Sequence, residues 1–197
     1  MKYDIVNNFD KHKDIPSDMR IGNLDAVKEP YFSVVIPTYK RPELLKETIM
    51  SVVNQKMFQK EYEIIVTDNE SGDSVNETEK MLRELNIKNL YYYKNRDNLE
   101  ACGNWNRCVV LSRSKWVIMC HDDDFLKPDC LKTMFDIVEK HKNDKKQVEY
   151  IRSSAESMYS EKLQITRTEK KRIRIKKDKT ALIKRTYWNV IWGGGAT

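Results

Sequence analysis

Three consecutive carboxylates, Asp122, Asp123 and Asp124, follow an apolar run at residues 116–120 and precede Pro128. An apolar run of this length that ends in a turn signal predicts a strand buried on both faces. The carboxylates are then expected at the carboxyl end of a core strand, where ligands bind in open α/β sheets. Because adjacent carboxylates repel each other, a cation would offset their charge, and their hard oxygens suit Mg²⁺ or Mn²⁺ that bridges to phosphate. The alternative is a solvated acidic turn that caps the following helix.

The elements that must position these carboxylates alternate between strand and helix. Short β-branched or aromatic runs predict four strands, at residues 32–38, 62–68, 89–94 and 116–120. Apolar residues at helical spacing predict four intervening or following helices, over residues 42–54, from Ser74 through Leu85, over 101–112 and around 131–138. Ser74 with Glu77 forms a candidate capping box. The alternation predicts parallel strands joined by right-handed crossovers, with Asp68 and the Asp122 cluster at strand ends.

The remaining segments carry weaker patterns. Residues 1–30 are polar and interrupted by proline and glycine, which predicts an arm or short turns laid against the domain. Residues 148–153 and 172–176 are candidate strands, and residues 180–188 are a candidate helix. Neither a Gly-x-Gly-x-x-Gly motif nor a Walker-type lysine loop is present, which disfavours dinucleotide oxidoreductases and P-loop enzymes.

The charge of the chain is uneven. The net charge is +6 over 197 residues, and residues 161–185 hold eleven Lys or Arg against three acidic residues. Such a basic segment is typical of a solvated face, and it could also contact nucleic acid, an anionic membrane surface or a phosphate-rich substrate. No apolar run approaches the roughly 20 residues that cross a bilayer, and the first residues lack the apolar core of a signal peptide. The sequence therefore predicts a cytoplasmic protein, peripheral at the inner face of the membrane if the basic segment binds there.

Four segments together resemble a family 2 inverting glycosyltransferase with a GT-A fold: residues 34–42, 64–71, 98–106 and 121–128. They occur in the family's order and fall on predicted strand ends, over about residues 31–141. The resemblance implies an α/β fold, a Rossmann-like and mostly parallel sheet flanked by helices. It also implies a nucleotide-sugar-binding domain over residues 31–197 that is incomplete at its C-terminus, preceded by the arm at 1–30.

The resemblance implies roles for residues around the donor nucleotide. Pro37, Thr38 and Tyr39 would receive the nucleobase, largely through backbone groups. Asp68 would hydrogen-bond the base or the ribose, the alternative being a plain turn residue that ends its strand. Arg41 would reach the nucleotide or merely solvate a helix start, and both remain open. Asn106 matches the second residue of the family's Arg-Asn pair and is also expected at the nucleotide.

The same resemblance implies a metal site for Mn²⁺ or Mg²⁺. Asp123 would be the leading ligand, Asp122 would contact ribose or a metal-bound water, and Asp124 would support them. His121 stands where the family has its first aspartate, and an orienting hydrogen bond is expected of it rather than metal ligation. Two further departures, Trp105 in place of arginine and Glu100 in place of a small residue, leave the nucleotide open.

The implied reaction transfers a sugar from a nucleotide-sugar donor, UDP-linked by default, to a polysaccharide or lipid-linked acceptor. In the family an acidic residue that follows a Gly-rich stretch is the general base. The stretch at residues 193–195 is present, but no Asp or Glu follows Asp178, so no base is assigned. The alternatives are an inactive nucleotide-sugar-binding fragment or half of a split enzyme, and more distantly a basic nucleic-acid-binding protein. A second copy of the chain is a candidate partner for uncovered sheet edges.

Overall fold

The computed structural model describes residues 9–56, 58–144, 148–152 and 190–193, the last four and Arg152 by backbone alone. These residues form seven strands and four α-helices. The strands are β1 (Ser17–Ile21), β2 (Phe32–Thr38), β3 (Tyr62–Asp68), β4 (Leu90–Asn95), β5 (Trp116–Met119), β6 (Tyr150–Arg152) and β7 (Val190–Gly193). The helices are α1 (Pro42–Val53), α2 (Glu77–Leu85), α3 (Glu100–Leu111) and α4 (Cys130–His141), and a short 3-10 helix spans Leu24–Ala26.

The centre of the sheet is parallel, as the alternation of strands and helices predicts. The strand order is β1-β4-β3-β2-β5-β7-β6, and β4, β3, β2 and β5 pair in parallel. All seven residues of β2 are buried because helices cover both faces of the sheet. The four predicted central strands and the helices between them are confirmed to within a few residues.

Antiparallel strands extend both edges of this sheet. β1 pairs with β4, and at the other edge β7 pairs antiparallel with both β5 and β6. Residues 1–30 are predicted to form an arm or short turns, whereas residues 17–21 form an edge strand in the structure. Local pattern could not reveal β1 because its sequence is short and mostly polar, and its partner lies more than 70 residues away. The candidate elements at residues 172–176 and 180–188 and the basic segment 161–185 lie outside the described residues.

Alternating residues of each central strand divide the core into two layers. On one face, buried residues such as Val34, Ile36 and Val66 pack with residues of α1, α2 and α4. On the other face, Val35, Ile65 and Val117 pack with Cys108 of α3. This packing holds the register of β2 against β3 and β5. Because the three strands are parallel, their carboxyl ends lie side by side, and this row of strand ends is called the site edge below.

Candidate donor-binding site

The candidate site lies at the carboxyl ends of β2, β3 and β5. Thr38 ends β2 and stands in register with Asp68, which ends β3. The acidic residues follow β5, which pairs with β2 on its other side. The structure therefore brings the two predicted acidic positions to the same edge, where open α/β sheets bind ligands.

Asp122 is the anchored carboxylate of this edge. Its side chain is buried, its Oδ2 accepts a 2.8 Å hydrogen bond from the hydroxyl of Thr38, and its Oδ1 lies 3.3 Å from Nη1 of Arg41. Burial raises the pKa of Asp122, while the Thr38 hydrogen bond, the charge of Arg41 and the backbone N–H of Tyr39 act in the opposite direction. These donors hold the carboxylate in one orientation at the strand end.

Asp123 differs from its neighbour because it is exposed. Its Oδ2 lies 3.2 Å from the same Nη1 of Arg41, so one guanidinium nitrogen contacts both carboxylates. Asp124 is half-buried, and its backbone N–H donates to the carbonyl of His121 across the turn. The sequence leaves two positions open for Arg41; in the structure it lies on the two carboxylates.

Asp122 and Asp123 are the residues at the strand ends that could serve as ligands of a divalent cation. Within the described ranges, no three His, Cys, Asp or Glu side chains converge on one point. Two carboxylates do converge: one oxygen of Asp122 and one of Asp123 lie within 3.3 Å of Nη1 of Arg41. Mg²⁺ characteristically uses one or two protein carboxylates and completes its shell with water and phosphate oxygens. The metal-ligand roles of Asp122, Asp123 and Asp124 stay predictions.

Asp68 lies deeper than the other acidic residues and is fully buried. Its carboxylate accepts hydrogen bonds from the backbone N–H of Glu70, from Nδ2 of Asn76 and from the hydroxyl of Tyr92, at 2.7–2.8 Å. Burial raises its pKa, and these three hydrogen bonds oppose the rise. In this structure Asp68 fixes the loop that follows β3, and its predicted contact with base or ribose stays a prediction.

Asn76, rather than Ser74, caps the N-terminus of α2, which begins at Glu77. Its Oδ1 accepts a 2.8 Å hydrogen bond from the backbone N–H of Glu79, and it is the N-cap residue. The capping box predicted from Ser74 and Glu77 is therefore wrong. Ser74 and Asn76 are both good N-cap residues, and Asn76 has the additional hydrogen bond from its Nδ2 to Asp68. The cap thus links the start of α2 to the buried carboxylate.

Four asparagines form an amide network beside the strand ends that the sequence patterns did not reveal; Asn69, Asn95 and Asn104 are buried, and Asn98 is exposed. Asn95 donates to the side-chain oxygens of Asn69 and Asn104, and Asn69 donates to Asn98. Asn104 also donates to the carbonyls of Thr67 at 3.0 Å and Thr38 at 3.4 Å, and these residues end or nearly end β3 and β2. The network ties the loop before α3 to the site edge. The sequence feature that could have revealed this network is the four-residue spacing of Asn104 and Cys108, which places both side chains on the sheet side of α3.

The remaining predicted residues are divided between two places. Pro37 is buried within β2, and Tyr39, directly after the strand, is 46% exposed beside the carboxylates. Asn106 instead lines a depression with His12 and Arg107, apart from the contacts that join the strand ends. Trp105 packs edge-on against the ring of His121, with centroids 5.3 Å apart.

A depression of about 650 Å³ lies at the opposite ends of the strands, their amino ends. Tyr31 and Trp116 at the amino ends of β2 and β5 line it, together with Val138 of α4. Ligands of open α/β sheets bind outside the carboxyl ends of the strands. This depression is therefore not assigned to the donor.

Comparison with known proteins identifies the class to which this fold belongs. Residues 33–191 match the model of glycosyl transferase family 2, and the chain belongs to that family. It is 32% identical over 124 residues to an uncharacterized glycosyltransferase of Methanocaldococcus jannaschii, covering 62% of this chain and 41% of that protein. It is 30% identical over 115 residues to the poly(ribitol-phosphate) beta-N-acetylglucosaminyltransferase TarP of Staphylococcus aureus, covering 57% and 34%.

Other relatives give the same result. The GalNAc(5)-diNAcBac-PP-undecaprenol beta-1,3-glucosyltransferase of Campylobacter jejuni is 30% identical over 105 residues, covering 53% of this chain and 33% of that protein. The crystal structure of S. aureus TarS 1–349 superposes with a TM-score of 0.50 at 24% identity, over 56% of this chain and 33% of that one, which supports the fold. The chain spans less than half the length of the curated relatives it matches.

Among the described helices, none combines the length and apolar character that crossing a bilayer requires.

Proposed function

We propose that this protein transfers a sugar, with inversion, from a UDP-linked donor to a polysaccharide or lipid-linked acceptor. Membership of glycosyl transferase family 2 supports the class of reaction. The observation that carries the proposal is the arrangement of Thr38, Asp122, Arg41 and Asp123 at the carboxyl ends of two adjacent parallel strands. This arrangement combines oriented carboxylates with a half-exposed guanidinium, groups that suit a nucleoside diphosphate bound with a metal.

The donor nucleotide is proposed to lie across the ends of β2 and β3. Pro37, Thr38 and Tyr39 would meet the nucleobase, with the exposed ring of Tyr39 available for stacking. Asp68 would contact the base or ribose from the end of β3, and Asp122 would contact the ribose or a metal-bound water. Asn106 stays a proposed nucleotide contact, although its depression beside His12 is a less direct position for it.

Mn²⁺ or Mg²⁺ is the proposed cofactor, held by Asp123 and Asp122 with support from Asp124. When bound, such an ion neutralises the charge that grows on the departing diphosphate. The chain's own residues would do the rest. Thr38 orients Asp122, Arg41 pairs with phosphate oxygens, and the buried strand ends exclude water from one side of the site.

The acceptor class is inferred from the names of relatives. TarP is named for poly(ribitol-phosphate), and the C. jejuni enzyme is named for an undecaprenol-linked glycan. A polymeric or lipid-linked acceptor would suit the basic residues 161–185, which could contact an anionic membrane surface or a diphosphate-linked lipid. We therefore propose that the protein acts at the cytoplasmic face of a membrane, with a second copy of the chain as a candidate partner.

In a second candidate function, the protein binds the nucleotide sugar but does not catalyse the transfer by itself. No described residue is assigned as the general base that an inverting transfer needs. A protein of this kind would bind the nucleotide sugar without turnover, or would act with another polypeptide that supplies the base. Binding of nucleic acid through the basic segment is a distant third candidate, which family membership disfavours.

Two assays separate these candidates. Calorimetric titration with UDP and Mn²⁺ tests the donor site, and a turnover assay on UDP-sugars tests the transfer. Binding with turnover supports the glycosyltransferase, whereas binding without turnover supports the second candidate. Salt-sensitive binding of generic DNA together with no binding of UDP would overturn both.

A further inference from the structure

Arg41 occupies the point at which the two candidate metal ligands converge. Its Nη1 is 3.3 Å from Oδ1 of Asp122 and 3.2 Å from Oδ2 of Asp123. A metal ion that bridged these oxygens would need the space around this nitrogen. The side chain of Arg41 is 52% exposed, so it can leave the carboxylates without opening the core.

We propose that Arg41 is a placeholder cation that makes metal binding depend on the donor diphosphate. It holds the carboxylates together while no donor is bound, and it moves onto the diphosphate when donor and metal enter. The inference rests on the proposed function and deepens it, because it assigns to one residue the coupling between the two ligands. Arg41 is in this sense a positioning residue for the metal site.

The charges at the site explain why metal binding should depend on the diphosphate. Asp122, Asp123 and Arg41 together carry a formal charge of −1. A divalent ion arriving alone would have to displace the guanidinium or stand beside it, and two cations a few ångströms apart repel each other. A diphosphate offers the planar guanidinium a two-oxygen partner, which frees the carboxylates for the metal. Each ligand therefore favours binding of the other, and this coupling is reciprocal.

The backbone around Arg41 is suited to such a movement. Arg41 is the N-cap residue of α1, its side chain makes no capping hydrogen bond, and its carbonyl accepts a 3.0 Å hydrogen bond from the N–H of Leu45. The helix thus holds the backbone, and no capping hydrogen bond ties the side chain to the helix. The neighbouring Lys40 has its Nζ over the ring of Tyr39, 5.4 Å from the centroid. It offers a matched control, a cation one residue away that does not bridge the carboxylates.

The test measures Mn²⁺ binding in the absence of nucleotide, through the electron paramagnetic resonance signal of free Mn²⁺. Arg41→Gln should bind Mn²⁺ at least about fivefold more tightly than the wild type, the lower range of typical coupling between ligands. Lys40→Gln should change the affinity by less than about twofold, because it removes charge without clearing the space. Adding UDP should tighten Mn²⁺ binding by the wild type more than binding by Arg41→Gln.

Two further variants secure the interpretation. Arg41→Lys keeps the charge and should bind Mn²⁺ without UDP about as weakly as the wild type. Adding Asp123→Asn to Arg41→Gln should abolish the gain, which shows that the gained Mn²⁺ uses this carboxylate. Thermal unfolding without metal checks that each variant folds.

The inference fails if Arg41→Gln binds Mn²⁺ no more tightly than the wild type, or if Lys40→Gln gives the same gain. Either result leaves the proposed function standing, provided that the wild type binds UDP with Mn²⁺. If the wild type binds no UDP under any condition, the proposed function fails, and the inference fails with it. The two failures are therefore distinguishable in one set of titrations.

Discussion

The hydroxyl of Thr38 donates a 2.8 Å hydrogen bond to Oδ2 of Asp122, joining residues that are 84 positions apart in the chain. The contact exists because β2 and β5 are parallel neighbours whose ends meet at the same edge of the sheet. It leaves Oδ1 of Asp122 directed at Arg41. The orientation of the candidate site is thus a consequence of strand register.

Replacing Thr38 with valine keeps the shape of the side chain and removes this donor. A buried carboxylate that loses a hydrogen bond is destabilised by about 1–3 kcal/mol and loses its fixed orientation. We expect Thr38→Val to weaken the binding of UDP with Mn²⁺ by about tenfold or more, measured by calorimetry.

Thr48→Val is the matched control for that substitution. Thr48 is fully buried in α1, and its hydroxyl has no hydrogen-bond partner among the described residues. Removing it should leave UDP binding unchanged and should not lower the free energy of unfolding. Equal losses of UDP affinity in the two variants would contradict the role given to Thr38.

The hydroxyl of Tyr92 should contribute more to stability than that of its neighbour Tyr91. Tyr92 is fully buried and donates to Asp68, whereas Tyr91 donates to the neutral carbonyl of Asn23 at 3.1 Å. Tyr92→Phe should lower the free energy of unfolding by about 1.5–3 kcal/mol and Tyr91→Phe by about 0.5–1.5 kcal/mol. Urea unfolding measures both, and the reverse order would show that the Asp68 network is not formed in solution.

The ionisation of Asp68 predicts a pH dependence of stability. Burial raises its pKa above the ordinary 3.8, so the folded state binds this proton more tightly than the unfolded state. Its stabilising contribution is therefore fully present below pH 3.8 and is lost as the pH rises through the raised pKa. Asp68→Asn lacks this titration.

The measurement is the free energy of unfolding of the wild type minus that of Asp68→Asn, across the same pH range. The difference should fall as the pH rises toward neutrality. A difference that rises instead would mean that the three hydrogen bonds to Asp68 outweigh its burial.

Glu100 provides a prediction about the loop beside the amide network. Its φ is 59°, a left-handed conformation that disfavours residues with a Cβ, and its side chain pairs with Lys11 at 2.8 Å. Glu100→Gly should raise the midpoint of thermal unfolding by about 2–4 °C, because the strain exceeds the value of an exposed ion pair. Lys11→Ala, which removes only the ion pair, should change the midpoint little. A lower midpoint for Glu100→Gly would contradict this account.

The central fold could be predicted because its signals are local. The apolar runs at residues 32–38 and 62–68 and the apolar faces of α1 and α4 are each visible within one short window of sequence. β1 was missed since the short, mostly polar segment Ser17–Ile21 shows no strand pattern of its own and pairs with the distant β4. β7 was missed for a related reason, because its four residues acquire their role from β5 and β6.

The candidate site could be predicted in its location but only partly in its contacts. The strand-end rule places Asp68 and Asp122 at one edge without any knowledge of their partners. The position of Arg41 depends on the path of the turn after β2, which no pattern encodes. Alignment on the family motif selects Asn106, whereas the structure places Asn104 at the strand ends.

The most direct test of the central claim is calorimetric titration of the wild type and Asp122→Asn with UDP, each with and without Mn²⁺. The account predicts that the wild type binds UDP more tightly with Mn²⁺ than without it, and that Asp122→Asn loses this enhancement. Binding of UDP that depends neither on Mn²⁺ nor on Asp122, or no binding of UDP by the folded wild type, would contradict it.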